Sequence, residues 1–364
     1  MPVADIKSPG YLKLSLITMG LVAFFFILYI GQDIIVPLIF STIVAILLNP
    51  LVNFLTKKKI NRVIAILLAV AAAIMLITAL TYFIISQAAL LSDSLPLFKK
   101  KFVMLFNELI NWISAHSNIS EPKIKAWINQ TKSAGLQNSN AVIGTALTTV
   151  GGILAFFFLL PVYIFLILFY KPLLLEFIAQ LFSSGKQEVV SEVLVETKTL
   201  IQSYLVGLLL EAAVVATLNT VGLLILGIQY AVLIGVIGAL LNMIPYIGGL
   251  VAISLPMLMA IATKSPIVAL WVLVLYIIVQ FIDNNFIVPK IVASRVKINA
   301  LISIIVVLIG GALWGVAGMF LSIPLTAIIK VIFDRITPLK PFGFLLGDNQ
   351  PEIVKFKFKI NKNK

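Results

Sequence analysis

The 364-residue sequence has no cysteine, which excludes disulfides, thiolate catalysis, iron–sulfur clusters and cysteine zinc sites. It has a single histidine, His116, which leaves little room for a histidine metal site or a catalytic triad. Charge is scarce as well. Asp, Glu, Lys and Arg make up 11% of the chain, against about 25% in soluble domains. So few charges cannot coat a chain whose side chains are 61% hydrophobic. There is no Walker motif, no GxGxxG after a strand and no HExxH pair. The sequence therefore predicts neither an ATP-driven pump nor a metalloprotease nor another enzyme, and it calls for no metal and no cofactor.

What the sequence does contain is apolar runs, at 14–31, 34–48, 63–85, 147–170, 203–227, 230–262, 267–282 and 301–333. Runs of this length need lipid as their solvent. They predict an all-α polytopic membrane protein of about eight transmembrane helices, with interrupted or re-entrant apolar stretches in the C-terminal half and amphipathic soluble helices between spans. The 27 Lys and Arg outnumber the 14 Asp and Glu and sit almost entirely outside these runs. That distribution reads as membrane orientation and headgroup contact, and no nucleic-acid partner is expected. Lys57, Lys58, Lys59 and Arg62 put loop 56–62, and with it the N-terminus, in the cytoplasm.

Five regions follow. Residues 1–86 hold the first three spans; 87–146 form an extracytoplasmic helical insertion; 147–202 carry the fourth span and a cytoplasmic amphipathic connector; 203–335 form a transmembrane core with broken helices; 336–364 are a basic tail. In the insertion, Leu91, Leu95, Phe98, Phe102, Leu105, Leu109 and Trp112 recur every three or four residues, which predicts a helix over 88–115 with one apolar stripe. The stripe fits packing on its own domain, between protomers, or along the lipid surface. A short helix over 122–133 and a linker over 134–142 follow. The basic cluster of Lys290, Arg295 and Lys297 and the lysine-rich tail 355–364 compete for the cytoplasmic side, because a simple crossing between them would separate them.

Few polar residues interrupt the C-terminal core. Glu211 lies well inside run 203–227, where an ionised side chain costs roughly 2.5–3.5 kcal/mol on insertion scales. It needs a partner, a proton or water, and Asn242 and Asn219 are candidate partners. Run 230–262 is broken by Asn242, Pro245, Tyr246, Gly248 and Gly249; run 301–333 is broken by Gly310, Gly311, Gly315 and Gly318 ahead of Pro324. Each resembles a pair of half-length helices. Broken backbone at membrane depth is tolerated only against protein or a water-filled cavity, so these breaks are candidate substrate sites, while small residues can equally serve close packing or act as hinges. Gln280, Asp283 and Asn284 close run 267–282 ahead of Pro289, either as a pore mouth or ion site or as a helix end at the headgroups.

These segments also resemble a known family. YLVGLLLEA at 204–212, GLLILGIQYAVLIGVIGALLNMIPYIGGL at 222–250, QFIDNNFIVPKIVASRVKINAL at 280–301 and GGALWGVAGMFLSIPLTAIIKVI at 310–332 are similar to the autoinducer-2 exporter (AI-2E) family of bacterial permeases. The resemblance implies a multi-pass protein of the bacterial cytoplasmic (inner) membrane, self-associating as a homo-oligomer, that moves a small solute or a cation. Members are described as exporting the autoinducer-2 signal or exchanging sodium for protons. It also implies that Asn242, Pro245, Tyr246 and Gly248 belong to the family's most characteristic segment, with Asp283, Asn284 and Pro289 in the next. Two functions are expected: a secondary transporter or permease, and, as the alternative, a channel-like or non-transporting oligomeric scaffold that binds partners through its soluble helices.

Overall fold

The computed structural model describes residues 10–116, 158–182, 187–245, 247–292 and 297–349. The chain runs through α1 (Gly10–Ile30), α2 (Gln32–Lys57), α3 (Arg62–His116), α4 (Phe158–Phe169), α5 (Lys171–Gln180), α6 (Gln187–Ile225), α7 (Ala231–Asn242), α8 (Ile247–Thr263) and α9 (Pro266–Ile282). A π-helical segment, Asp283–Val292, extends α9, and α10 (Ala300–Arg335) and α11 (Lys340–Leu346) follow. The helices present large apolar side chains outward; on α1, Met19, Phe24 and Phe26 are all exposed, as a helix surrounded by lipid tails allows.

Six helices among the described residues are long and apolar enough to cross a membrane, or seven if the pair α4 and α5, bent by 63°, forms one broken span. The expected count of about eight is near this but is not reached among the described residues. Stretch 230–262 supplies no helix of crossing length, and α10, long enough to be counted, is itself doubled back. Stretch 230–262 forms α7, of 12 residues, and α8, of 17, each below the roughly 20 residues a crossing needs. The two fold against each other: a Cβ on Gly248 would collide with the Leu241 carbonyl, and one on Gly238 would touch Cβ of Ala252 at 3.7 Å. Contacts of 241 with 248 and 238 with 252 define an antiparallel hairpin whose described tip residues are 243–245. Both ends lie where α6 finishes and α9 starts, since Gly227 sits beside Lys264.

Stretch 301–333 is also a hairpin. Within α10, Trp314 and Gly315 leave the helical region, and Gly315 has φ of 59° and ψ of −140°, a backbone state open to glycine alone. The limbs 300–313 and 316–335 then double back, for Gly310 packs its carbonyl against Gly318 and Gly311 faces Met319. In a straight helix residues eight apart would be about 12 Å distant. At the tip, Trp314 Nε1 donates to the Leu28 carbonyl at the end of α1 (2.9 Å). At the base, Asn299 Nδ2 donates to the carbonyls of Leu345 (2.7 Å) and Gly347 (3.1 Å), so entry and exit meet. Arg335 closes the base onto α6 through ion pairs with Glu192 and, at 2.9 Å, Glu196.

This second hairpin brings together the basic residues that flank it among the described residues. With α10 doubled back, Lys290 and Lys297 before it and Arg335 and Lys340 after it belong to one membrane face, as the charge rule requires. A chain without cysteine permits a direct test. Lys297→Cys and Lys340→Cys, both exposed, should react with a membrane-impermeant maleimide from one face, and exposed Lys264→Cys from the other. Labelling of positions 297 and 340 from opposite faces would refute the hairpin.

Two helices run through expected boundaries. The third span and the striped helix are one helix, α3, whose 55 residues reach about 80 Å, far beyond a hydrocarbon core of about 30 Å. The connector divides between α5 and the start of α6, and α6 continues unbroken for 39 residues into the span that carries Glu211. The expected helix 122–133, the linker 134–142, Arg295 and the tail 355–364 lie outside the described residues.

Candidate functional site

The buried residues of α6 include Ile201, Tyr204, Leu208, Glu211, Val215 and Asn219, spaced three or four apart along one face. Glu211 is thus turned inward and is only 7% exposed. Opposite it stands the tip of the first hairpin, with Asn242 at the end of α7, Met243 and Pro245 in the turn, and Gly249 in the first turn of α8. The end of α9 supplies Tyr276 and Gln280, and the π-helical segment supplies Asp283 and Asn284. A π-turn holds more residues than an α-turn, so side chains beyond Ile282 face directions that an α-helical continuation would not give them. The second hairpin adds Ser303 and Ile323. Together these residues line a cavity of about 830 Å³.

Asp283, at the end of α9, is only 1% exposed. Its Oδ2 accepts a hydrogen bond from Asn242 Nδ2 (2.9 Å), tying the end of α9 to the hairpin tip. Its Oδ1 is buried without a partner among the described residues. Gln280 Nε2 donates to Asn284 Oδ1 (3.4 Å), one turn apart on the same face. Gly249 lets the hairpin come close, because a Cβ there would lie 3.1 Å from Gln280 Oε1 and 3.4 Å from Asn242 Oδ1.

Glu211, Asn242, Pro245, Gln280, Asp283 and Asn284, which lie in three sequence segments, border this one cavity. Gly248 does not border it; it packs on the backbone of Leu241 and Asn242. Tyr246 lies outside the described residues. Pro289 sits within the π-helical segment. Gly310, Gly311 and Gly318 pack the second hairpin together, Gly315 turns its tip, and Pro324 is buried in the returning limb. Of the partners expected for Glu211, Asn242 borders the same cavity but bonds to Asp283, and Asn219 lies two turns further along α6, near Gly238 and Tyr276.

Sequence reasoning missed Tyr204, Tyr276 and Ser303. The two tyrosines carried a signal, since Tyr204 precedes Glu211 by seven residues and Tyr276 precedes Gln280 by four, spacings that share a helical face. Ser303 carried none, because it lies at the start of α10, outside the segments that hold the acids, and only tertiary packing brings it to the cavity.

Among the described residues, two carboxyl groups and no lysine or arginine line this space. A buried carboxylate is retained in membranes only with a proton, a cation or water to offset its lost hydration. Beside the acids, amide and hydroxyl groups of Asn242, Gln280, Asn284, Tyr276 and Ser303 offer both donors and acceptors. Among the described residues no group of three metal-ligating side chains occurs.

Two hairpins entering from opposite ends of α9, with a polar cavity between them, define a polytopic membrane protein of the kind that handles solutes at broken helices. The chain belongs to the AI-2E transporter family, whose profile matches residues 18–337. It is similar to the candidate transport protein YueF of Bacillus subtilis (strain 168), at 27% identity over 319 residues, covering 83% of this chain and 84% of that one. It is also similar to the candidate transport protein YhhT of Escherichia coli (strain K12), at 25% identity with 89% and 91% covered. The AI-2 transport protein TqsA of the same strain is 24% identical, with 88% and 92% covered.

Proposed function

We propose that this chain is a secondary transporter that carries a small solute or ion through the cavity between its hairpins, driven by proton or sodium movement. The observation that carries the reading is the placement of Glu211 and Asp283, almost wholly buried and from different helices, on one cavity without a basic residue. A carboxyl pair in that setting suits a cation or proton that is taken up and released as the cavity opens to alternate sides. The amide and hydroxyl groups beside it suit a polar solute, and the printed name of TqsA makes autoinducer-2 a first solute to test. We place the protein in the bacterial cytoplasmic membrane with Lys57, Lys297 and Arg335 inside, by the positive-inside rule. Self-association would use the part of α3 that reaches beyond the bilayer, and that same projection favours the rival reading of a partner-binding scaffold.

Reconstitution separates the two. Proteoliposomes holding the purified protein should take up or release autoinducer-2 saturably, and flux should rise when a proton or sodium gradient is imposed. Flux of autoinducer-2, protons and sodium no faster than in empty liposomes would leave the scaffold reading standing.

A further inference from the structure

At the end of the bundle that carries Lys57, three cations converge. Arg62 Nη2 donates to the Leu168 carbonyl (2.9 Å), which fixes the start of α3 against α4. Lys171 Nζ donates to Asn49 Oδ1 (3.0 Å). Lys171 borders one hollow together with Arg62 and a second together with Lys198 of α6. Like charges brought together repel, yet among the described residues no acid borders either of the two hollows formed here, of about 560 and 380 Å³. The acids Glu176, Glu192 and Glu196 are engaged elsewhere: Glu176 accepts from Gln180 (3.0 Å), while Glu192 and Glu196 hold Arg335. Asn49 borders both hollows, is 6% exposed, and keeps its Nδ2 buried without a partner among the described residues. Among those residues, three positive charges and a spare buried donor lack an anion.

We infer that this pocket binds the phosphate headgroup of an anionic membrane lipid. The first hollow, bordered by Arg62, Lys171 and Asn49, takes the headgroup. The second, walled by Ile46, Leu174 and Leu194 with Lys198 at its border, takes the upper part of an acyl chain. That apolar wall distinguishes a lipid from free phosphate, which would leave it unfilled. By the charge rule that puts loop 56–62 inside, the starts of α3 and α5 lie at the cytoplasmic face, the depth at which lipid phosphates lie. The pocket shares no residue with the carboxylate cavity, so the inference stands or falls apart from the transport reading.

Native mass spectrometry of the purified full chain, titrated with phosphatidylglycerol and with phosphatidylcholine, tests it. Phosphatidylglycerol should be retained in preference, and its affinity should fall about fivefold in Lys198→Gln and again in Lys171→Gln, in line with the attraction of one basic group at a membrane surface. Lys198→Arg should keep it. Lys198 is exposed and forms none of the contacts above, so Lys198→Gln serves even where Lys171→Gln fails to fold. Equal retention of the two lipids, or unchanged phosphatidylglycerol binding in Lys198→Gln, would overturn the inference. So would complete displacement of phosphatidylglycerol by an equal concentration of inorganic phosphate, which would mark a free-anion site.

Discussion

Asp283→Asn and Glu211→Gln should each lower solute flux in proteoliposomes by about one to two orders of magnitude without lowering the thermal stability of the protein. The magnitude follows from losing one charged interaction, about 1.5–3 kcal/mol, at about 1.4 kcal/mol for each factor of ten. The opposite sign for stability follows from burial. Asp283 is 1% exposed, and its Oδ1 has no partner among the described residues, so a carboxylate there costs more than the neutral amide that replaces it. The replacement Asn can still accept from Asn242 through its carbonyl oxygen, which preserves the tie between the hairpin tip and α9. A residue kept for structure would behave in reverse, with stability falling and flux following it. Transport and thermal unfolding measured on the same preparations decide between them, and undiminished flux in both variants would remove the carboxyl groups from the mechanism.

Gly248→Ala should be the most damaging single methyl group in the first hairpin. The added Cβ would run into the Leu241 carbonyl and lie 2.8 Å from Asn242 Cα, and both are backbone atoms that move only if the hairpin splays. Overpacking of this kind costs about 1–3 kcal/mol and occasionally more. Here it also displaces Asn242, so flux should fall along with the unfolding temperature. Neighbouring Gly249→Ala should be much milder for stability, since its Cβ meets Gln280 Oε1 at 3.1 Å, the far end of a side chain that can turn away. Gly20→Ala, with nothing within 4 Å of the new methyl, should be neutral or slightly stabilising because alanine is the better helix former. Thermal unfolding of the three variants in one detergent gives the order; equal midpoints for Gly248→Ala and Gly20→Ala would contradict the close packing at the hairpin tip.

Much of this site was legible in advance, for a reason peculiar to membranes. In a chain where 11% of residues are charged, an acid inside an apolar run stands out, because lipid cannot solvate it. Glu211 was found that way. Asp283 was harder, since it closes a run of apolar residues and a helix end at the headgroups accounts for it equally well. Its burial depends on the π-helical segment and on the hairpin tip that reaches it, features to which run composition is blind. Tyr276 shows the intermediate case: its spacing from Gln280 pointed to the site, but an aromatic residue in an apolar run draws no notice.

The sequence by itself determined that the chain lives in lipid, where its apolar runs begin and end, and which few polar side chains interrupt the C-terminal core. These follow from transfer free energies, which are properties of composition and length. Whether a 33-residue apolar stretch crosses or returns was decided only by tertiary structure, because both outcomes bury the same side chains in the same medium. In stretch 230–262 the choice rests on contacts such as Gly248 with Leu241, and in 301–333 on Gly310 with Gly318. Those contacts join Glu211, Asn242 and Asp283 across 72 residues of sequence into one cavity. Backbone groups unpaired at a break must find partners within the protein, and only the assembled helices show where those partners are.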